Sequence, residues 1–267
     1  MRLVRGHPML SFVVLAYAVS WSLVPFGSFL PCGPLVAALI VIPIVQGRDG
    51  LRTLGRRLVR WRVGWMWWVS ALALPLGTLA LVVVLNMALG TSAPSWDQFS
   101  SWSAVLLVVG PRLVDPLDGP MGEEPGFRGF AQPHLQRTFT PLRATLLVAV
   151  VATGWHLPLL VQGDMTPVDL VSTVAVTFWY AWLFNGSGGS VLITLVAHTA
   201  QGVVEHDDLW GSGPAADRLP YLYAAVAAAS AFLLVVLDRR RWREALPVAP
   251  AEVGRRIEPT HSARTTR

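Results

Sequence analysis

Gly122-Glu123-Glu124-Pro125-Gly126-Phe127-Arg128-Gly129-Phe130 sets two adjacent carboxylates and an arginine in the middle of a chain whose other long segments are apolar. Charged groups at membrane depth cost on the order of 3 kcal/mol each unless they are paired, hydrated or in use. Whether these residues lie in a loop or in a buried helix therefore decides both the fold and the chemistry. Working outward, two further apolar segments each carry one histidine, His156 and His198.

Composition places the chain in a membrane. Hydrophobic residues make up 53% and charged residues only 14%, against about 25% charged in soluble domains. Mean hydropathy is +0.51. The single cysteine, Cys32, excludes an internal disulfide and any multi-cysteine metal site. The net charge of +5 comes from arginine alone and is concentrated in a few clusters, which makes nucleic acid a poor partner. Membrane lipids and a peptide or membrane-protein substrate are the partners to expect. The arginine-only, small-residue-rich composition points to a bacterial inner membrane.

Eight apolar stretches follow one another, at roughly 9–25, 29–46, 65–89, 102–120, 141–160, 167–184, 188–205 and 219–237. Each approaches the ~20 residues needed to cross the hydrocarbon core. The expectation is an all-α polytopic protein with about eight transmembrane helices. The arginines of segment 47–64, link 131–143 and the run Arg239-Arg240-Arg241-Trp242-Arg243 all fall on one side of this arrangement. The intervening loops carry Asp97, Asp164, Asp207, Asp208 and Asp217. By the positive-inside rule both termini are cytoplasmic. Four divisions result: 1–101, a three-helix segment with an Arg-rich interfacial linker at 47–64; 102–205, a catalytic core; 206–238, an outer loop and last helix; 239–267, a polar tail expected to be disordered. Within the linker Leu51, Leu54, Leu58 and Trp61 recur at helical spacing between arginines, as in a helix lying on anionic headgroups.

Depth gathers the candidate site. If the fourth helix runs on to about Gln136, Glu123 lies about 20 Å from its cytoplasmic end, His156 about 22 Å along the fifth and His198 about 15 Å along the seventh. Glu124 and Arg128, four apart, share a helix face and should pair. Glu123 points about 100° away and is left for proton transfer.

These residues resemble a known family. Gly122–Phe130 with Pro133 and Leu135 resembles the first motif of the CPBP intramembrane proteases, also called Abi, which include CAAX prenyl endopeptidases and bacteriocin-processing or immunity proteins. Trp155-His156-Leu157-Pro158 resembles the second, and Gly189-Ser190 with His198 eight residues later the third. Two positions depart: Ala152 stands where the family has Phe, and Gly202 where it has Asn. The second removes a donor expected near the reacting carbonyl, and Gly202→Asn is expected to raise turnover by restoring it.

The resemblance implies peptide-bond hydrolysis by an activated water. Glu123, aided by His156, would deprotonate the water, His198 would stabilise the oxyanion, and Glu124 and Arg128 would orient Glu123. The family is described both as metal-dependent and as glutamate-dependent without metal. Glu123, His156 and His198 could supply a three-ligand zinc site with an open position. No H-E-x-x-H occurs, which tips the reading toward no obligatory metal and no other cofactor. The alternative is a non-catalytic membrane peptide-binding or bacteriocin-immunity protein of the same fold. A proton-relay transporter is disfavoured because no inverted repeat is visible.

Overall fold

The computed structural model describes residues 1–99, 101–204 and 207–244. Of the 239–267 tail expected to be disordered, Arg239–Arg243 is helical with Trp242 buried, and the residues beyond 244 lie outside the described residues. The described residues are all-helical: α1 (Arg2–Gly6), α2 (Pro8–Trp21), α3 (Gly33–Leu58), α4 (Trp65–Ala88), α5 (Trp102–Val114), α6 (Gly119–Gly126), a π turn (Phe127–Ala131), α7 (Gln132–Leu135), α8 (Pro141–Trp155), α9 (Leu157–Gln162), α10 (Pro167–Gly186), α11 (Val191–Gln201), α12 (Asp207–Trp210), α13 (Pro214–Leu237) and α14 (Arg239–Arg243).

Among the described residues, six helical segments are long and apolar enough to cross a membrane: Pro8–Phe26, Gly33–Leu58, Trp65–Ala88, Pro141–Gln162, Pro167–Gly186 and Pro214–Leu237. This makes the chain a multi-pass membrane protein. Two of the eight expected spans take another form. Segment 102–120 breaks after Val114, because Asp115 takes an extended conformation before Pro116. The chain then restarts as α6 and stays helical through the π turn and α7 to Leu135. Segment 188–205 contains a helix of only 11 residues, α11. It starts after Gly188 and Gly189, both at positive φ, and ends at Gly202.

Segment 47–64 is mostly a continuation of α3, bent at Gly47, where φ is 65° and ψ is −161°. That backbone is open to glycine alone. The expected amphipathic face exists, but it serves the protein itself. Leu54 is buried, and Leu51 and Leu58 pack against the same cluster. Trp61 is the exposed member.

Two packed clusters divide the interior. One joins Phe12, Ala16, Ala37, Ala38, Val41 and Ile42 of α2 and α3 to Phe127 and Phe130 of the π turn and Val148 and Trp155 of α8. The other joins Val82 and Val83 of α4, Trp179, Tyr180 and Leu183 of α10, Ile193 of α11 and Tyr223 and Ala227 of α13. α10 is the central helix: 56% of its apolar window is buried, against 22% for Pro8–Phe26. The remaining apolar surface, including Leu81, Val84, Val150 and Phe232, points outward, as a lipid-facing exterior requires.

Side chains fix the helix ends that position the site. Thr140 caps α8 by accepting from Arg143 N, and Thr166 with Asp169 forms a capping box on α10. Ser190 caps α11 by accepting from Ile193 N and donates its own hydroxyl to Arg60 O at 2.7 Å. The histidine helix is thereby tied to the arginine-rich segment.

Candidate active site

The acidic motif is helical and buried. Glu124 is 0% exposed, Arg128 2% and Glu123 8%. Small residues let this helix sit deep. A Cβ on Gly122 would lie 2.6 Å from Pro31 O, and one on Gly126 would collide with the Pro34 carbonyl. Close backbone approach of this kind is how membrane helices pack without large side chains. Pro133 has no N–H to offer the carbonyl four residues back, at Gly129. That carbonyl accepts from Arg57 Nη1 at 2.9 Å instead, and the helix widens into the π turn just upstream. A proline at this depth is tolerated because its freed carbonyl finds a protein partner.

The expected pair is present: Arg128 Nη1 donates to Glu124 Oε1 at 3.1 Å. The same oxygen accepts from His198 Nδ1 at 3.0 Å. Glu124 is therefore shared between the arginine of its own helix and the histidine of α11. The spacing paired it only with Arg128; tertiary packing adds the hold on His198. With Nδ1–H engaged, His198 presents Nε2. That nitrogen and Glu123 Oε1 face the same small space: a Cβ on Gly119 would stand 3.2 Å from the carboxylate oxygen and 4.0 Å from Nε2.

His156 caps the C-terminus of α8. Its Nδ1 lies 2.8 Å from Ala152 O and must donate to it, which leaves Nε2 as the acceptor. Trp155 stacks edge-on against it at 4.7 Å and packs on Phe29 and Phe127. Ala152, at the position where Phe was expected, is buried in that cluster.

One cavity of about 570 Å³ takes in Glu123, Arg128, His156 and His198, and extends to the loop Gly163–Thr166. The depth argument brought three residues together, and the fold does place them around a common space. Among the described residues, however, no three of His, Cys, Asp and Glu converge closely enough to hold a metal ion. Each histidine engages Nδ1 and leaves Nε2 toward the cavity.

Two residues of the cavity escaped the sequence reading. Tyr180 stacks on His198 at 5.0 Å with its ring inclined 22°, lies 4.9 Å beneath the Arg128 guanidinium, and donates its hydroxyl to Gln201 Oε1. Gln201 is thus engaged with Tyr180. Arg112, on the last turn of α5, also lines the cavity. Its Nη1 lies 2.5 Å from where a Gly202 Cβ would be. The guanidinium thus occupies the space beside Gly202, and an asparagine there has to displace it. An arginine beside Pro111 within an otherwise apolar segment was the available signal.

Residues 100–204 match the family model of the type II CAAX prenyl endopeptidase Rce1-like proteins. No curated protein matches the chain significantly. The matched stretch contains α5 through α11 and with them both glutamates, Arg128 and both histidines. Residues 100–204, the stretch that carries the three motifs, are thus similar to the Rce1-like CAAX prenyl endopeptidases.

Proposed function

We propose that this protein hydrolyses a peptide bond in a membrane-associated protein or peptide with a water activated at Glu123. The observation that carries the reading is the single cavity lined by Glu123, His156 and His198, with Glu124 tying Arg128 to His198 behind it. Water would sit between Glu123 and His156 Nε2. Glu123 takes its proton as the oxygen attacks the carbonyl carbon. The carbonyl π pair moves to oxygen, where His198 Nε2–H, available in the imidazolium paired with Glu124, stabilises it. One such donor contributes on the order of 3 kcal/mol. The C–N bond then breaks, and Glu123 returns the proton to the leaving nitrogen. No step passes through a metal.

Glu123→Gln in the native membrane tests this. Cleavage of membrane peptides should fall by at least ~10³-fold, since the attacking nucleophile loses its base. An amide variant that cleaves as wild type removes the assignment.

The arginine-rich face is read as cytoplasmic, in a bacterial inner membrane. Cysteines placed singly at Arg52 and Ser212, with Cys32 removed, report this. An impermeant thiol reagent on intact cells should label position 212 and spare position 52. The reverse pattern inverts the topology.

A further inference from the structure

Gly202 caps the C-terminus of α11 with φ −96° and ψ 10°, a backbone that any residue adopts. Conformation does not require glycine there; space does. A Cβ would stand 2.5 Å from Arg112 Nη1 and 3.1 Å from Cζ. Gly202 follows His198 by four residues, so the guanidinium is pressed against α11 one turn from that imidazole. Arg112 is half-buried, with Asp118 Oδ1 3.6 Å from Nη1. Its helix, α5, buries no side chain; the guanidinium at its last turn is what it contributes to the cavity that Glu123, His156 and His198 line.

We propose that Arg112 is a catalytic residue, donating a guanidinium N–H to the scissile carbonyl oxygen opposite His198 Nε2. This rests on the hydrolysis reading above. As water attacks, the new O–C bond forms, the π pair moves onto the carbonyl oxygen and the water proton passes to Glu123. The resulting negative charge is shared by His198 and Arg112. When the C–N bond breaks, the charge collapses back to a carbonyl and the nitrogen takes the proton from Glu123. Guanidinium suits this role because it stays charged at any working pH and offers donors in a rigid fork. His198 donates from Nε2 only as imidazolium. Asp118 anchors the head and aims it, and Gly202 supplies the opening through which it reaches. The missing asparagine is replaced by a donor from a different helix.

The full chain in liposomes, with a quenched-fluorescent pool of peptides carrying an apolar anchor and randomised residues at the cut, provides the test. Arg112→Gln should lower kcat by about 10²–10³-fold with KM within a few fold, the pattern of a group acting in the transition state. Gly202→Ala is the gentler variant. It keeps the arginine but pushes the head aside, and should cost at least tenfold in kcat with unchanged thermal unfolding. Gly202→Asn in the Arg112→Gln background should recover at least tenfold, because the vacated space then admits the amide. Binding of a phosphinic-peptide pool, whose tetrahedral anion mimics the intermediate, reads the same donor without turnover. Arg112→Gln should weaken it about 10²-fold relative to the matched amide pool. If Glu123→Gln is inactive while Arg112→Gln and Gly202→Ala keep wild-type kcat, the Arg112 proposal alone falls. Equal weakening of the phosphinic and amide pools likewise overturns it. If Glu123→Gln itself cleaves as wild type, the hydrolysis reading falls first.

Discussion

The two packed clusters that flank the acidic helix both contain aromatics, but they differ in how closely backbone approaches backbone. Around α2, α3 and the π turn, backbones approach until glycine is the residue that fits: Gly33 against Ser20, Gly122 against Pro31 and Gly126 against Pro34. Around α4, α10 and α13, large aromatics fill the space: Trp179 is fully buried, and Trp67 meets Trp182 edge-on at 4.9 Å. The first region fixes where Glu123 and Glu124 stand, because backbone contacts yield little. The second carries His198 on a short helix held by Tyr180 stacking and by Glu124. The difference teaches that one wall of the cavity is set by close backbone contact and the other by side-chain packing, with Glu124 as the bond between them.

The largest effect should come from breaking that bond. Arg128→Ala leaves Glu124, which is inaccessible to solvent, without its guanidinium and should lower stability by about 3–5 kcal/mol. Glu123→Gln should leave stability nearly unchanged while cleavage disappears. Unfolding in detergent, run beside the cleavage assay, separates the two variants; equal loss of stability would make the whole cluster structural.

Next comes the rigid wall. Gly126→Ala drives a methyl into the Pro34 backbone and should cost about 1–3 kcal/mol. Gly202→Ala, which meets only the movable end of Arg112, should cost well under ~1 kcal/mol. If these two cost the same, backbone contact is not what distinguishes the regions.

In the aromatic region Trp179→Phe removes the indole N–H that donates to Ser230 Oγ at 2.9 Å. A loss of about 1 kcal/mol is expected, smaller than that for Gly126→Ala because neighbouring side chains can shift. Thermal unfolding of the two variants side by side orders the walls by rigidity.

The smallest effect lies at the end of α13. Asp238 accepts from Arg241 Nε at 2.7 Å and Trp182 Nε1 at 2.9 Å. Burial pushes its carboxyl up, but those hydrogen bonds and the Arg241 charge outweigh it and hold the group below the ordinary aspartate range. A depressed carboxylate contributes stability that is present above its unfolded value of about 3.9 and is lost as pH falls through the folded value. Asp238→Asn should therefore cost less than ~1 kcal/mol at neutral pH and flatten the acid limb of the stability curve. An unchanged acid limb would remove this latch from the account.

The sequence by itself determined the membrane class, because spans of Leu, Val and Ala as long as Trp65–Ala88 admit no other solvent. It also determined the Glu124–Arg128 pair, since four-residue spacing on a helix brings the two together whatever surrounds them. Glu123, His156 and His198 were legible as candidates because each is a polar interruption of an apolar segment. Tertiary structure alone decided that Glu124 also holds His198, a contact across 74 residues of chain. It alone placed Tyr180 beneath Arg128, and Arg112 against Gly202. It also interrupted or shortened the helices in two of the expected eight spans: hydropathy registers apolar length but not the extended Asp115 before Pro116 or the paired glycines ahead of α11. Local periodicity is a property of neighbours along the chain, whereas the partners of a buried charge are chosen by which helices pack together.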